Sequence, residues 1–232
     1  MIAAVIVVIS VSDSMHRQAL IEAQSKARII LDRNLATHTY FSQIMKPSIF
    51  AWSEPFRSKE HFDQTWMSST YALREIEKYF KSLTHSKYSF KDAAINARSP
   101  ANEADEYERA FLKKLAIDKN LEFESTVRNI HGEPYLVVLR KGEVMEASCL
   151  KCHSYPQNAP KGLTDYYGSE RSFNRKAGDV ISAVSIRIPL AEAYAEANVF
   201  SLKLSAIMIA VLVCLFAIQY WFYRCYLLLP LD

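Results

Sequence analysis

The stretch that decides the fold is residues 122–140, EFESTVRNIHGEPYLVVLR. Two runs rich in β-branched and aromatic residues flank residues 131–133, and this pattern predicts a β-hairpin. Residues 178–190, GDVISAVSIRIPL, alternate in the manner of a further strand that ends near Pro189. Residues 88–96 also have strand character. The chain is therefore predicted to contain an antiparallel sheet.

Helical periodicity dominates the first half of the chain. Residues 12–50 place apolar side chains at spacings of three, four or seven, which predicts a long amphipathic helix that Pro47 should end or kink. Its apolar face would pair with a second copy of the chain or pack on its own domain. Residues 61–83 form a second helical pattern, and residues 102–118 form a third with Asn102 as N-cap. Helices and sheet together predict an α+β fold.

Residues 204–223, LSAIMIAVLVCLFAIQYWFY, contain no charged side chain. A bilayer core requires about 20 apolar residues of helix, so we predict a transmembrane helix at residues 201–224. Residues 190–204 favour a helix that runs into it without a break. Residues 1–12 are apolar but short for a complete span. They are interpreted as part of an N-terminal transmembrane segment, with a weak secretion signal as the alternative.

These two segments flank a central domain, residues 13–200, and residues 225–232 begin a linker beyond the second segment. The positive-inside rule, applied to Arg224, favours a cytoplasmic C-terminus and leaves the central domain outside the cytoplasm. The net charge of +3 is too mild to favour nucleic acid as a partner.

The motif that indicates a chemical function is CLKCH at residues 149–153. The chain has four cysteines, and Cys149 and Cys152 are the two in the central domain. C-x-x-C-H is the signature of covalent c-type haem attachment. The two thiols add to the haem vinyl groups, and the adjacent His153 ligates the iron. One motif predicts one haem.

Two other interpretations of the motif remain open. A zinc site usually needs a second pair of cysteine or histidine ligands at similar spacing, and the other histidines are scattered along the chain. A redox dithiol usually lies at a helix N-terminus in a βαβ unit, a context that the predicted elements do not resemble.

Residues 66–76, 96–112, 135–160 and 178–190 resemble, in this order, the c-haem-containing, PAS-like periplasmic sensor domains of bacteria. The resemblance covers roughly residues 20–190. It implies a PAS-like antiparallel sheet with long N-terminal helices, flanked by transmembrane helices. It also implies a homodimer and a haem that lies between the sheet and the helical part.

The resemblance implies that the chain functions as a sensor. Such domains lie in the periplasm, anchored in the inner membrane, and feed a cytoplasmic signalling output domain. The chain would be a non-enzymatic input module that detects redox state or a small gaseous ligand through its haem. A membrane-tethered monohaem electron carrier is the alternative. A peroxidase-like enzyme, with His38 or His61 as distal acid–base group, is a third class.

The resemblance assigns the two cysteines to the thioether bonds and His153 to the proximal position. Met67 is the first choice for distal iron ligand and Met45 the second. His38, His61 and an open or water-bound iron are the alternatives. The central domain offers no third cysteine, so a thiolate ligand is excluded.

The haem propionates need cationic or hydrogen-bonding partners. The candidates that adjoin the motifs are Arg98, Tyr135, Arg140 and Lys141. An ordinary solvated side chain is an equally good interpretation of each. Tyr166 and Tyr167 are candidates for packing on the ring, although core packing would also explain them.

Overall fold

The computed structural model describes residues 2–84 and 87–228. Met1, from the predicted N-terminal membrane segment, and residues 229–232, from the predicted linker, lie outside the described residues. The chain divides into two compact units, of which Gln24–Pro189 is the larger.

Within its described residues, the larger unit contains a four-stranded antiparallel sheet with strand order β1-β4-β3-β2. The strands are β1 (Ser89–Ala93), β2 (Phe123–Ile130), β3 (Glu133–Lys141) and β4 (Ala183–Pro189). β4 is a central strand, because it pairs with β1 on one side and with β3 on the other. The predicted antiparallel sheet is confirmed.

The predicted hairpin is formed by β2 and β3, whose last pair is Ile130 with Glu133. The connection is therefore two residues long, His131 and Gly132, with φ angles of 53° and 88°. Two successive positive φ angles are those of a type I′ turn, whose twist matches that of paired strands. Gly132 adopts this conformation without the strain that a side chain would add.

Along the chain, helices precede, separate and follow the strands. They are α1 (Ile2–Tyr40), α2 (Lys46–Ser53), α3 (Gln64–Met67), α4 (Ser69–Thr84), α5 (Glu106–Ile117), α6 (Leu150–His153), α7 (Lys161–Tyr167) and α8 (Ala191–Tyr223). Three 3₁₀ turns lie at Pro100–Asn102, Ala147–Cys149 and Pro156–Asn158. Helices and an antiparallel sheet together confirm the predicted α+β class.

The first long helix changes its winding just before Pro47. Phe41–Met45 is π-helical, and the Lys46 N–H donates to the carbonyl of Phe41, five residues earlier. Proline lacks an amide hydrogen and its ring crowds the carbonyl four residues back. A wider turn at this point accommodates both effects. Pro47 therefore lies in the first turn of α2 instead of ending the helical path, which continues to Ser53.

Two sequence expectations about helices are wrong in detail. The single pattern at residues 61–83 is two helices, because Ser68 has extended backbone angles between α3 and α4. The predicted N-cap Asn102 lies in a 3₁₀ turn, and Asp105 caps α5 instead. Asp105 and Glu108 form a reciprocal capping box, which satisfies two amides at the helix start.

The hydrophobic core lies between α5 and one face of the sheet. Its fully buried members include Phe111 and Leu115 of α5 and Leu139 of β3. Glu108 is fully buried beside this core and forms ion pairs with Lys91 (2.6 Å) and Arg187 (2.8 Å). A carboxylate in such a position is stable only because both cations accompany it. The opposite face of the sheet also carries buried side chains, namely Leu136, Val138 and Ile186.

The smaller unit comprises Met1–Ala23 and Leu190–Asp232. Within it, the His16 Nε2 lies 2.8 Å from the Asn198 Oδ1, which joins α1 to α8. Among the described residues, Ala191–Tyr226 is the helical stretch long and apolar enough to cross a membrane, with a mean hydropathy of 2.5. The expected unbroken helix from residue 190 onward is confirmed.

Candidate functional site

The two thiols of the C-x-x-C-H motif lie one helical turn apart. The 3₁₀ turn Ala147–Cys149 leads into α6, so Cys149 and Cys152 follow one helical path. Side chains three and four residues apart lie on the same side of a helix. Both cysteines are free and partly exposed. The motif therefore presents two thiols and the adjacent His153 toward one side.

The His153 imidazole is held by a backbone carbonyl. Its Nδ1 lies 2.8 Å from the carbonyl oxygen of Ser172, which can only accept, so Nδ1 donates the proton. The other nitrogen, Nε2, keeps its lone pair. Burial, followed by the charge of Arg98, lowers the pKa of His153 to about 4. The ring is thus neutral at physiological pH, which is the form that ligates a metal.

The acceptor Ser172 belongs to a loop tied to the end of α6. Ser172 and Asn174 both have a φ of 61°, in the left-handed region that few non-glycine residues adopt. The Asn174 N–H donates to the Ser154 carbonyl at 2.5 Å, and the Arg175 N–H donates to the His153 carbonyl at 3.0 Å. Such strained backbone persists where the surrounding contacts hold it. Here those contacts fix the group that orients His153.

Arg98 bridges the motif helix and this loop. Its Nη2 donates to the Cys152 carbonyl at 2.7 Å and to the Ser172 carbonyl at 3.3 Å. The guanidinium carbon also lies 4.8 Å from the centre of the Phe173 ring. Burial lowers the pKa of Arg98 to about 10, so the side chain remains a cation at physiological pH. Arg98 is thus the propionate candidate that the structure brings to the motif, although its Nη2 is committed to two carbonyls.

Two further arginines anchor the same loop to the segment after β1. The Arg171 Nε donates to the Ala97 carbonyl at 2.7 Å, and its Nη2 pairs with Glu103. The Arg175 Nη2 donates to the Ile95 carbonyl at 2.6 Å. The loop is therefore bound on both sides, to the motif helix and to the chain that follows β1.

An apolar cluster lies behind the second thiol. Cys152 packs against a buried cluster formed by Ala159, Leu163 and Phe173. Phe62 and Tyr167 pack against the same cluster. Burial raises the pKa of the Cys152 thiol, while the positive charge of Arg98 opposes that shift. At neutral pH this thiol is therefore protonated, unlike the activated thiolate of a redox dithiol.

Met67, the predicted distal ligand, is the last residue of α3. Its Sδ accepts a hydrogen bond from the Asp63 N–H at 3.4 Å, and Asp63 caps the helix by accepting from the Thr65 N–H at 2.9 Å. The sulfur thus faces the start of its own short helix. Ligation of an iron by Met67 would replace one weak hydrogen bond, so the assignment stays a prediction.

Met45, the second choice, ends the π-helical segment and lines a cavity of about 520 Å³. Phe41 from the same segment and Tyr71 and Ala72 from α4 line it as well. The charge of the next residue, Lys46, influences the ionisation of Cys152. Lys46, at this end of the helical path, is therefore close enough for its charge to act on the motif. π-Helical turns are also frequent at functional sites.

Sequence reasoning missed two acidic residues that interact with His38, Glu143 by direct contact and Asp92 through its charge. The His38 Nε2 forms an ion pair with the Glu143 Oε1, and the Ser69 Oγ donates to the same oxygen at 3.3 Å. The hydrogen bond with Glu143 raises the pKa of His38, although burial opposes it. Burial would raise the pKa of Glu143, but His38, Ser69 and Lys46 together hold it below its ordinary value. Burial and the charge of Glu143 raise the pKa of Asp92 to about 7.

The structure does not bring the other propionate candidates together. Tyr135 packs against the core under α5. Arg140 lies on the opposite face of β3, because residues an odd number apart on a strand face opposite sides. Its Nη1 is 3.3 Å from an Asp32 oxygen. Lys141 pairs with Glu122 at 2.7 Å. As partners of a propionate, these residues stay predictions.

Two tyrosines connect the apolar cluster to the surface. Tyr167 contacts the cluster that includes Cys152, and its ring lies 4.6 Å from that of Tyr166. Tyr166 is 60% exposed and accepts a hydrogen bond from the Gln64 Nε2 at 3.2 Å.

His61, an alternative distal group, has an exposed side chain.

The zinc interpretation finds no ligand set in the part of the chain that the structure describes. Over residues 2–84 and 87–228, no group of three or more histidine, cysteine, aspartate or glutamate side chains is arranged to hold a metal ion. A structural zinc site usually requires four such ligands.

Comparison with known proteins gives one family and one solved structure. The sequence model of the Tll0287-like family, Tll0287, matches residues 16–189. A solved structure, "Crystal structure of the cyanobacterial heme-protein Tll0287", is similar at 17% identity, with a TM-score of 0.49. The similarity covers 68% of this chain and 94% of that chain. No curated protein matches.

Proposed function

This chain belongs to the Tll0287-like family, and we propose that it binds one haem, attached through Cys149 and Cys152 and ligated by His153. Tll0287, whose name the family carries, is described as a cyanobacterial heme-protein. The observation that carries the proposal is the C-x-x-C-H motif inside the matched range. Its two thiols lie on one helical path, beside an imidazole with a free Nε2.

The residues present fit a c-type haem. Thioether bonds require two uncommitted thiols at this spacing, and Cys149 and Cys152 are both free. Axial ligation requires an unprotonated imidazole nitrogen, and the Ser172 carbonyl fixes the tautomer that supplies it. When bound, the group would supply an iron that changes oxidation state and takes small ligands.

We propose that the larger unit is a sensor with a PAS-like fold. Two helical irregularities support this role, because the π-helical segment ends at Met45 and the break between α3 and α4 directly follows Met67. Side chains at such points can shift with less loss of regular hydrogen bonding than those within a helix. A stimulus would have to favour one of two packings of these segments over the other. β4 ends at Pro189 and α8 begins at Ala191, so Leu190 alone separates the two elements along the chain.

The membrane location is part of the same proposal. α8 has the length and apolar composition of a span. We propose that it crosses the inner membrane, with residues 13–200 in the periplasm and a cytoplasmic output domain or partner beyond residue 225. The chain would then be an input module without catalysis of its own.

A homodimer is also proposed, through the outward side of α1. Ile29, Leu35, Tyr40 and Ile44 are large apolar residues of α1 and the following π-helical segment, and each is at least 48% exposed. An exposed apolar stripe of this kind is typical of an interaction surface. A second copy would cover it in the way that the sequence periodicity predicts.

An electron carrier remains the second candidate. The Tyr167–Tyr166 pair, which runs from the Cys152 cluster to an exposed ring, favours it. Such a carrier would keep both axial ligands in each oxidation state. A sensor would exchange or release one of them.

Covalent attachment is tested by producing the chain together with cytochrome c maturation proteins. We expect a pyridine hemochrome band and a mass greater by one haem, both lost in Cys149→Ser and Cys152→Ser. Cys214→Ser, in α8, is the matched control and should retain both signals. A wild-type chain that weighs only what its amino acids weigh would refute the proposal.

Ligand exchange separates the two roles. Absorption and resonance Raman spectra in both oxidation states, with and without CO or NO, should differ between wild type and Met67→Ala or Met45→Ala. We expect one of these substitutions to leave a more open iron. A six-coordinate spectrum that no added ligand alters would favour the electron carrier.

A further inference from the structure

Arg98 and His153 share one acceptor, the carbonyl oxygen of Ser172. The His153 Nδ1 donates to it at 2.8 Å, and the Arg98 Nη2 donates at 3.3 Å. The carbonyl thus lies between the imidazole and a cation. The same Nη2 also donates to the Cys152 carbonyl at 2.7 Å, which fixes the guanidinium against the motif helix.

The charge of Arg98 has little compensation from the protein. In the part of the chain that the structure describes, no carboxylate forms an ion pair with Arg98, whose Nη2 donates to two carbonyl oxygens instead. By contrast, Arg171, which donates to the Ala97 carbonyl, forms an ion pair with Glu103. Arg98 therefore places a positive charge near His153, which outweighs the opposing effect of the Glu143 carboxylate on the pKa of His153.

We propose that Arg98 is a positioning residue that sets the donor strength of His153 and thereby raises the reduction potential of the haem. The inference rests on the proposed function. A carbonyl that also accepts from a guanidinium is a weaker acceptor for the imidazole N–H. The imidazole then gains less anionic character and is a weaker ligand for the oxidised iron.

The electrostatic effect acts in the same direction. With hydrogen bonds of 2.8 and 3.3 Å on one oxygen, the guanidinium nitrogen lies within roughly 6 Å of the imidazole. A cation at this range disfavours the more positive oxidised iron. Removal of Arg98 should therefore shift the ratio of oxidised to reduced protein by about tenfold, equal to about 59 mV for one electron.

The test compares three variants of the full haem-loaded chain. Spectroelectrochemistry should give a lower potential for Arg98→Gln, by about tenfold in that ratio, and a smaller decrease for Arg98→Lys, which retains the charge but cannot bridge both carbonyls. Arg171→Gln is the matched control, because it removes loop contacts from Ala97 and Glu103 but none from Ser172. An equal shift in Arg171→Gln and Arg98→Gln, or no shift in Arg98→Gln, would overturn the inference.

A second readout separates donor strength from general disruption. In the reduced protein after photolysis of CO, the iron–histidine stretching frequency should rise in Arg98→Gln, because the imidazole becomes a stronger donor. Should Arg98→Gln fail to load haem, Arg98→Lys carries the test. Its stretching frequency should rise, since lysine cannot bridge both carbonyls, and an unchanged frequency would overturn the role of the bridge. A haem-bearing wild type with unchanged variants refutes only this inference, whereas a wild type without haem refutes the proposed function as well.

Discussion

Replacement of Asp92 by asparagine should stabilise the domain at alkaline pH. Asp92 lies on β1, and burial together with the nearby Glu143 raises its pKa from 3.8 to about 7. A group whose pKa is higher in the folded state contributes stability that is fully present below its unfolded pKa. That stability is lost as the pH rises through 7. Asparagine has a similar shape and no charge, so it avoids the loss.

The magnitude follows from the difference between the two pKa values. Each pKa unit corresponds to about 1.4 kcal/mol, so ionisation of Asp92 at pH 8 lowers the free energy of unfolding by on the order of 4 kcal/mol. Asp92 is only half-buried, so solvent screens part of this effect and reduces the value. We expect Asp92→Asn to gain about 2 to 3 kcal/mol at pH 8, and less than about 1 kcal/mol at pH 4.

Urea unfolding of the apoprotein in detergent, followed by tryptophan fluorescence, would measure this gain. The background is the double cysteine-to-serine variant of the motif, so that no haem quenches the signal. Asp165→Asn, at an exposed position, is the control and should change stability by less than about 0.5 kcal/mol. A gain that is the same at pH 4 and pH 8 would refute the argument, because only an ionisation produces the difference.

Three further substitutions should weaken the fold in the same urea assay. Lys91→Met should lower the free energy of unfolding by about 2 kcal/mol, because fully buried Glu108 would keep only Arg187 as a counter-ion. Gly132→Ala should lower it by about 1 kcal/mol, since φ is 88° at this position. Asp105→Ala should lower it by about 1 kcal/mol through loss of the capping box of α5. If any of the three variants were as stable as the wild type, the stabilising role proposed for the corresponding residue would be wrong.

Local patterns were sufficient to predict the sheet and most helices. The alternation of residues 178–190 and the glycine at 132 act over a few residues, so the strand and the hairpin could be recognised without tertiary information. The capping box of Asp105 with Glu108 was also local, and Asn102 drew the prediction away from it. The outcome at Pro47 was different, because a proline can end a helix or be absorbed by a π-helical turn.

The site could be predicted only where it is contiguous in sequence. The motif at residues 149–153 shows its chemistry in five letters, so its thiols and imidazole were identified directly. Arg98 and Ser172 reach the motif from distant positions through a loop with positive φ angles, and the partnership between them has no local signal. Glu143 likewise contacts His38, and Asp92 comes near enough to interact with its charge, only through the folding of the sheet and α1.

The order of the strands has a consequence for biogenesis. β4, the last strand in the chain, lies between β1 and β3, so the sheet cannot assemble until Ala183–Pro189 has been synthesised. Pairings between strands so far apart in sequence also form slowly. The motif at residues 149–153 precedes β4 and is therefore released from the ribosome while the sheet is still open. An enzyme that modifies its thiols would therefore reach the motif before β4 completes the sheet.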